Sequence, residues 1–411
     1  MKSFTIKIME TIRLGIIKEG KTPPDKRVPF SPIQCVEIEQ RYPHVKVVVQ
    51  SSRIRAYKDD EYRELGIEVV TNVNDCDILM GIKEVPVSNL IPKKTYLFFS
   101  HTAKKQPYNR KLLQEVLNKK IRLVDYEALK DKLNNRLVAF GRFAGIVGAY
   151  NGLLTYGKKY NLFSIRKASE CFDINDLKIE LRKVILPPIK IILTGGGRVA
   201  KGAMETLDSA GIRKVSPKDF LNNTFNESVY VQIGSADYHV RKEGGLFNRE
   251  EFHLNPQMYD STFLQYARVA DLLIAGAFWN PKAPVLFTKE QMQKPEFKLK
   301  VIADVTCDIE GSIPSTKRPS SIIDPIYDYN PKTDSVEPPL NNPALVTVMA
   351  VDNLPCELPR SASEEFGRDL IDKILPALVI SDKDGVIKRA SITKNGKLTE
   401  TFTYLTDYAY A

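Results

Sequence analysis

Cysteine, histidine and long apolar runs are all scarce in this chain, and each scarcity narrows what it can be. The five cysteines (Cys35, Cys76, Cys171, Cys307 and Cys356) are odd in number, widely spaced and form no CxxC pair. That argues against a disulfide framework or a structural zinc site and fits a reducing compartment, with cytoplasm the default. No metal is expected. No apolar run approaches the roughly 18–20 residues that a membrane-spanning helix needs, so no membrane role is expected. The opening, Met1–Ile12, has no long apolar stretch followed by a cleavage site, and no secretory signal is read there. Fixed-period repeats, low-complexity tracts and heptads are missing too. Nor is charge of one sign concentrated: 60 Lys and Arg are scattered among 50 Asp and Glu, without any nucleic-acid-reading motif. The net charge of +10 therefore suits anionic small molecules or solubility better than nucleic acid.

What is present is an alternation of short apolar strands and amphipathic helices. Within 411 residues there is room for two or three domains. Strands are expected at Ile12–Ile17, Val45–Gln50, Asp77–Lys83, Thr95–Ser100 and Ile121–Tyr126. Helices are expected at Pro32–Tyr42, Asp59–Leu65 and Arg110–Asn118. Such a pattern indicates a parallel sheet covered on both faces. Phe140–Lys159 reads as a helix joining two domains, and its Ala144, Gly145, Gly148 and Ala149 would let another backbone approach. After a charged stretch, Arg166–Lys183, strands resume at Ile189–Leu193, Val229–Ile233, Leu272–Ala275 and Val301–Val305, giving a second doubly wound sheet. Asp324–Pro339 reads as an ordered loop or a hairpin, and Ser363–Leu375 as a helix ended by Pro376. The fold class is α/β, with two doubly wound, Rossmann-like domains.

The second sheet opens with a phosphate-binding pattern. Pro188–Gly211 runs strand, glycine turn, helix, and Gly195, Gly197 and Ala200 fit GxGxxG/A. The first glycine permits the tight turn, the second lets backbone approach a pyrophosphate, and a small third residue lets helix pack on strand. Arg198 and Val199 open the helix whose N-terminal amides would face the phosphates. Ala275 and Gly276, at the end of a neighbouring strand, join this cofactor set. A bare glycine pattern also occurs in ordinary βα turns, so the flanking strand and helix carry the reading. An NAD enzyme usually has an acidic residue about 20 positions on, at the second strand's tip. Here that window holds Arg213, Lys214, Val215, Ser216, Pro217 and Lys218, with no carboxylate. Lys214 and Ser216 would tolerate a 2′-phosphate, which favours NADP over NAD.

Several long segments resemble one family. GIKEVP (Gly81–Pro86), KTYLFFSHTAKKQ (Lys94–Gln106), RLVDYEAL (Arg122–Leu129), RLVAFGRFAGIVG (Arg136–Gly148), VIADVTCDIEGSI (Val301–Ile313) and VDNLPCELPRSASEEF (Val351–Phe366) carry the likeness. They are similar to the lysine-forming saccharopine dehydrogenases and to the lysine–ketoglutarate reductase half of the bifunctional lysine-degrading enzyme. Both sit in the superfamily of alanine dehydrogenase and the soluble part of transhydrogenase. The likeness covers essentially the whole chain. It implies two domains facing a cleft, the first discontinuous: a substrate domain over 1–139 completed by 355–411, and a dinucleotide-binding domain over 140–354. It also implies an NAD(P)-dependent oxidoreductase acting on CH–NH groups, which reductively condenses lysine with 2-oxoglutarate to saccharopine or runs the reverse. Partners would be those small molecules, with a homo-oligomer left open.

The resemblance assigns residues as well. Lys83 and His101 would be the acid/base pair, each at the C-terminal end of a strand, where doubly wound sheets bind ligands. A lysine beside apolar Ile78, Leu79 and Met80 has reason to lose its proton early, and imidazole suits proton transfer near neutrality. His44, His239 and His253 read as structural. Glu84 and Glu127 would tune Lys83 and hold substrate ammonium groups. Arg136 and Arg27 would take substrate carboxylates, a task that suits the guanidinium fork. Asp308 would lie close to the reacting centre and the cofactor, and Asn353, Leu354 and Pro355 would border the nicotinamide. Lys18 stands where the fungal enzymes carry an arginine, and Lys18–Glu19 looks instead like the opening of alanine dehydrogenases and transhydrogenases. A lysine there supplies charge without a bidentate fork. Two other readings remain: reductive amination of a smaller oxo acid, as in alanine dehydrogenase, and a cofactor-binding module of the transhydrogenase kind.

Overall fold

A computed structural model describes residues 10–410, so most of the segment read for a secretory signal lies outside the described residues. The chain divides into two compact units, one running to Ala139 and resuming at Pro359, the other spanning Phe140–Leu358.

The first unit holds an eight-stranded sheet. Its parallel strands are β1 (Ile12–Ile16), β2 (Val45–Gln50), β3 (Glu68–Val70), β4 (Ile78–Met80), β5 (Thr95–Phe98) and β6 (Arg122–Asp125). They lie in the order β3-β2-β1-β4-β5-β6, and an antiparallel pair, Ser391–Lys394 with Lys397–Leu398, extends the β6 edge. Because the order reverses between β1 and β4, the chain leaves those strands in opposite directions and opens a crevice at their carboxyl ends. Lys18 and Glu19 follow β1, and Lys83 and Glu84 follow β4. Helix α1 (Pro32–Arg41) starts where Ser31 and Gln34 form a reciprocal capping box, with Pro32 at the first position. Helix α2 (Asp59–Arg63) is short. Helix α3 (Arg110–Asn118) buries Leu112, Leu113, Val116 and Leu117, one face of its 3.6-residue period, against the core of Leu79, Tyr96 and Phe98.

The second unit begins with α4 (Gly141–Tyr160), whose middle is buried on nearly every side. A short helix, α5 (Ile174–Leu181), then forms inside the charged stretch, where the Asp173 carboxylate accepts from the amides of Asn175 and Asp176. The sheet strands are β7 (Lys190–Thr194), β8 (Arg213–Lys214) and β9 (Val229–Ile233), and a separate antiparallel ribbon pairs β10 (His239–Arg241) with β11 (Tyr259–Ser261). Then come β12 (Leu272–Ala275), β13 (Val301–Asp304), β14 (Ile326–Asn330), β15 (Ser335–Glu337) and β16 (Val346–Met349). The order is β15-β14-β16-β13-β12-β7-β9-β8. Asp324–Pro339 is thus a hairpin, and it also lengthens the sheet, because β14 pairs antiparallel with β16. The switch point falls between β7 and β12, where the glycine turn leaves the sheet.

The small residues of α4 serve a close crossing. Its partner is α6 (Arg198–Ser209), the helix that follows the glycine turn. A Cβ on Gly145 would stand 1.8 Å from the Val199 carbonyl oxygen, and one on Gly202 would stand 1.9 Å from that of Arg142. Neither backbone carbonyl can move aside without unwinding its helix. Glycine at both positions therefore sets the spacing that holds the start of α6 in place.

The remaining expectations shift by a few residues. Strand β3, half-exposed at the sheet's edge, and strand β16 are not among the expected strands. The helix expected at Ser363–Leu375 starts at Pro359 and ends at Lys373, followed by a π turn over Pro376–Ile380. All five cysteines are free thiols.

Candidate active site

In the first unit the carboxyl ends of β1, β4 and β5 bring together one connected set of polar side chains. Glu84 is its hub. Its Oε1 accepts from His101 Nδ1 at 2.6 Å and from Asn109 Nδ2 at 3.3 Å, and its Oε2 accepts from Lys21 Nζ at 3.0 Å. Burial works against the charged form, yet these bonds hold the Glu84 carboxyl down at about 2. It is a fixed anion at any physiological pH. With Nδ1 bound to Glu84, Nε2 is the imidazole nitrogen left to exchange a proton. His101 sits in the left-handed region at φ 52°, a conformation that costs a non-glycine residue about 1–3 kcal/mol and is retained mainly where surroundings impose it. Here the imposition is visible. Asn109 Nδ2 donates to the Ser100 carbonyl at 2.9 Å, the Ser100 amide donates to buried Asp125 at 3.1 Å, and the Phe99 ring stacks on the imidazole.

Lys83 is half-buried beside this hub. Burial, and then the neighbouring Arg27 cation, lower its ammonium below the ordinary lysine range. Its backbone is held by Glu19, a residue to which no local pattern assigns a role. Glu19, arriving from β1, accepts from the amides of Ile82 at 2.6 Å and Lys83 at 2.9 Å, bridging the two strands at the switch point. Burial pushes the Glu19 carboxyl up to about 8. A carboxyl raised this way stabilises the fold fully below its unfolded value of 4.5 and loses that contribution as pH climbs through about 8. Urea unfolding of the protein should therefore show stability falling across that window. Glu19→Gln should flatten the slope, and an unchanged slope would remove Glu19 as its source.

Arg27, expected to take an oxo-acid carboxylate, is itself buried. Its Nε and Nη2 donate to the two oxygens of Asp25 at 3.0 and 2.6 Å, with side-chain exposures of 3% and 1%. In this structure its fork is committed to Asp25, and its effect on the site is the positive field at Lys83. Lys18 lies at the surface, and its amide donates to Gln50 Oε1 at 3.1 Å. Glu127 and Arg136 are brought together: Glu127 Oε1 accepts from Arg136 Nη2 at 2.8 Å and from Lys104 Nζ at 2.9 Å. Burial opposes ionisation of Glu127, but Lys104, Arg136 and His101 keep it below the ordinary carboxylate range. These residues line a pocket of about 740 Å³ with Lys130, Lys132 and Arg389, a cationic surround suited to carboxylates.

The second unit presents a cavity of about 1030 Å³ at its switch point, lined by Gly195, Gly196, Gly197, Arg198, Val199, Gly276 and Asp308 among others. Gly195 has φ +101°, and a Cβ there would meet the Gly276 carbonyl at 3.1 Å, so the turn itself requires glycine. Gly197 differs. No protein atom lies within 4 Å of where its Cβ would stand, so the space over it is open for a phosphate. The turn, the open cradle and the N-terminal amides of α6 fit a pyrophosphate. Ala200 is buried under the helix, as close packing on the strand demands, and Ala275 ends β12 beside the cavity in a smaller adjoining pocket. Burial, then Asp304, raise Asp308 above the ordinary range. Asn353, Leu354 and Pro355 start a short 3₁₀ helix packed on α4 and lie outside this cavity's lining.

Two sequence expectations need correction. From the sequence, Lys214 and Ser216 are expected at the tip of the strand beside the glycine turn. The strand beside β7 is β9, and β8 sits at the sheet's edge, paired only with β9. Lys214 Nζ donates to Gln232 Oε1 at 3.3 Å, and Ser216 caps the next helix through Asp219. Neither lines the cavity. The tip that does is Gly234, Ser235 and Ala236.

In fold, the chain is similar to alanine dehydrogenase and transhydrogenase. Residues 15–147 match the alanine dehydrogenase/PNT N-terminal domain, a stretch running past the first unit's boundary into α4. An L-alanine dehydrogenase superposes with a TM-score of 0.63 at 16% identity, covering 97% of this chain and 100% of that one. The transhydrogenase from Sinorhizobium meliloti gives 0.59 at 15% identity, covering 94% and 98%.

The resemblance read from the sequence is borne out more narrowly by curated relatives. The mitochondrial alpha-aminoadipic semialdehyde synthase of Mus musculus is 29% identical over 93% of this chain and 46% of its own length. The alpha-aminoadipic semialdehyde synthase of Arabidopsis thaliana is 28% identical over 95% and 41%. The saccharopine dehydrogenase [NAD(+), L-lysine-forming] of Schizosaccharomyces pombe is 26% identical over 80% and 84%. The chain spans about half the length of the first two. Among the described residues no helix is long and apolar enough to cross a membrane.

Proposed function

We propose that this chain is an NADP-dependent saccharopine dehydrogenase of the lysine-forming kind, condensing the ε-amine of lysine with 2-oxoglutarate reductively or running the reverse. The observation that carries the reading is the Glu84–His101 pair with Lys83 at the switch point of the first sheet, in a chain whose second sheet carries a dinucleotide turn at its own switch point. The names of the Schizosaccharomyces pombe and semialdehyde synthase relatives support the substrate class.

In the condensing direction the amine must first be neutral. Lys83, with its depressed affinity for a proton, accepts one from the substrate ammonium, and the freed lone pair attacks the keto carbon. The C–N bond forms as the carbonyl oxygen takes up a proton, and that oxygen later leaves as water. His101 Nε2 exchanges the proton at the reacting oxygen and nitrogen, while the Glu84 carboxylate stabilises the imidazolium. A reduced nicotinamide dinucleotide, held by Gly195, Gly197 and the first amides of α6, would supply the hydride for reduction of the imine to the secondary amine. Arg136 and Lys104, with Lys130 and Arg389 around them, hold substrate carboxylates, and Glu127 orders the two cations it binds. NADP is favoured because no carboxylate lines the cavity at the tip of β9.

One residue favours a second reading. Lys18, in place of an arginine, supports reductive amination of a smaller oxo acid. The two separate in a single assay of NADPH or NADH oxidation by absorbance. Lysine with 2-oxoglutarate is expected to drive oxidation and pyruvate with ammonia is not; the opposite result would favour the smaller substrate.

A further inference from the structure

The move of the neighbouring strand from β8 to β9 relocates the place where the adenosine ribose would lie. In doubly wound dinucleotide domains that ribose sits at the tip of the strand adjoining the glycine strand. Here the tip is Gly234–Ala236. The first carboxylate after it, Asp237, is turned back on its own turn, with Oδ2 accepting the Gly234 amide at 2.7 Å. It is not among the cavity's lining residues.

What faces that tip is the segment 239–261, inserted between β9 and the helix Leu264–Ala267. It contributes Phe247, Arg249, Phe252 and His253 to the same cavity that holds Gly195–Val199. The segment is firmly built. Its ends pair as the β10–β11 ribbon. Asn248 caps the short helix Arg249–Leu254 by accepting from the Glu251 amide at 3.0 Å, and Tyr259 Oη donates to Glu251 at 2.5 Å. Arg241 pairs with Glu251 at 3.2 Å, and Phe247, Phe252 and Tyr259 pack ring against ring at 5.2–5.4 Å. Asn248, just before Arg249, and Glu251, two residues after it, are therefore both pinned, while Arg249 itself is exposed.

We infer that Arg249 is the residue that reads the 2′-phosphate of NADP, with Phe247 and Phe252 offering the flat apolar faces against which a purine stacks. The inference rests on the dinucleotide reading above and adds the residue that selects between the two nucleotides. A guanidinium fork matches phosphate bidentately, and a pinned backbone lowers the ordering cost of that contact. Lysine at this position would keep the charge and lose the fork.

The test is calorimetric titration of the full chain with 2′,5′-ADP and 5′-AMP, for the native protein, Arg249→Ala and Arg249→Lys. The native protein should bind 2′,5′-ADP roughly tenfold or more tightly than 5′-AMP. Arg249→Ala should abolish that preference while changing 5′-AMP affinity by less than about twofold, and Arg249→Lys should fall between. Retention of the full preference in Arg249→Ala would overturn the inference, and so would a native protein that binds the two mononucleotides alike. In either case the dinucleotide reading stands, because a nucleotide still binds. If the mononucleotides, NADH and NADPH all fail to bind the native protein, the dinucleotide reading falls and this inference with it.

Discussion

His101→Gln is expected to lower kcat by roughly 10²- to 10⁴-fold, the usual contribution of a positioned acid/base, while dinucleotide affinity stays within about twofold. Glutamine can keep a hydrogen bond to Glu84 Oε1 and so preserve the local geometry. It has no group that gains and loses a proton near neutrality. The separation of the two effects matters more than the size of either. His101 lies in the first unit and the glycine turn in the second, so a loss confined to turnover is what proton transfer predicts. Equal losses in turnover and nucleotide affinity would mean that the substitution damages the fold or that the imidazole binds the cofactor. Steady-state kinetics paired with fluorescence titration of NADPH separates these outcomes.

Gly197→Ala should do the reverse. The added Cβ meets no protein atom within 4 Å and the residue's φ of −85° suits alanine, so the melting temperature should hardly change. A pyrophosphate approaching the backbone would meet that methyl, and NADPH affinity should fall by more than about tenfold, since a bulkier residue blocks close approach at this glycine. Gly195→Ala is the contrasting variant. Its left-handed φ and the nearby Gly276 carbonyl tie the loss to the fold, and it should melt earlier even without nucleotide. Unchanged NADPH affinity in Gly197→Ala would remove the turn from the binding site.

Those two residues also show how far the sequence could be read. The parallel strands were legible because runs such as VKVVVQ and VYVQI are buried on both faces and carry no alternation. Gly195, Gly197, Lys83 and His101 were legible because each lies at a strand end that the apolar run marks. Strand order was not. β8 pairs over only two residues, and nothing in its composition says that β9 rather than β8 adjoins the glycine strand. The misplaced adenosine tip, with Lys214 and Ser216, follows from that alone.

Support for the acid/base pair was also hidden. Lys21 lies 63 positions from Glu84 and Asn109 lies 25, and Glu19 reaches the Lys83 amide across 64. Partners so distant are set by which strands become neighbours, and no local pattern announces them. Arg27 shows the same limit from the other side: the resemblance assigns it a substrate carboxylate, and only the fold reveals that Asp25, two residues away, already pairs with its guanidinium.

The central claim is that one catalytic event joins two carbon skeletons through nitrogen and reduces the bond. Mass spectrometry of the product tests it, with lysine carrying heavy nitrogen only at the ε position, unlabelled 2-oxoglutarate and NADPH. A single new compound containing both skeletons and the label is expected, formed in step with NADPH oxidation and abolished in His101→Gln. Oxidation of NADPH with lysine recovered intact and no joined product would contradict it.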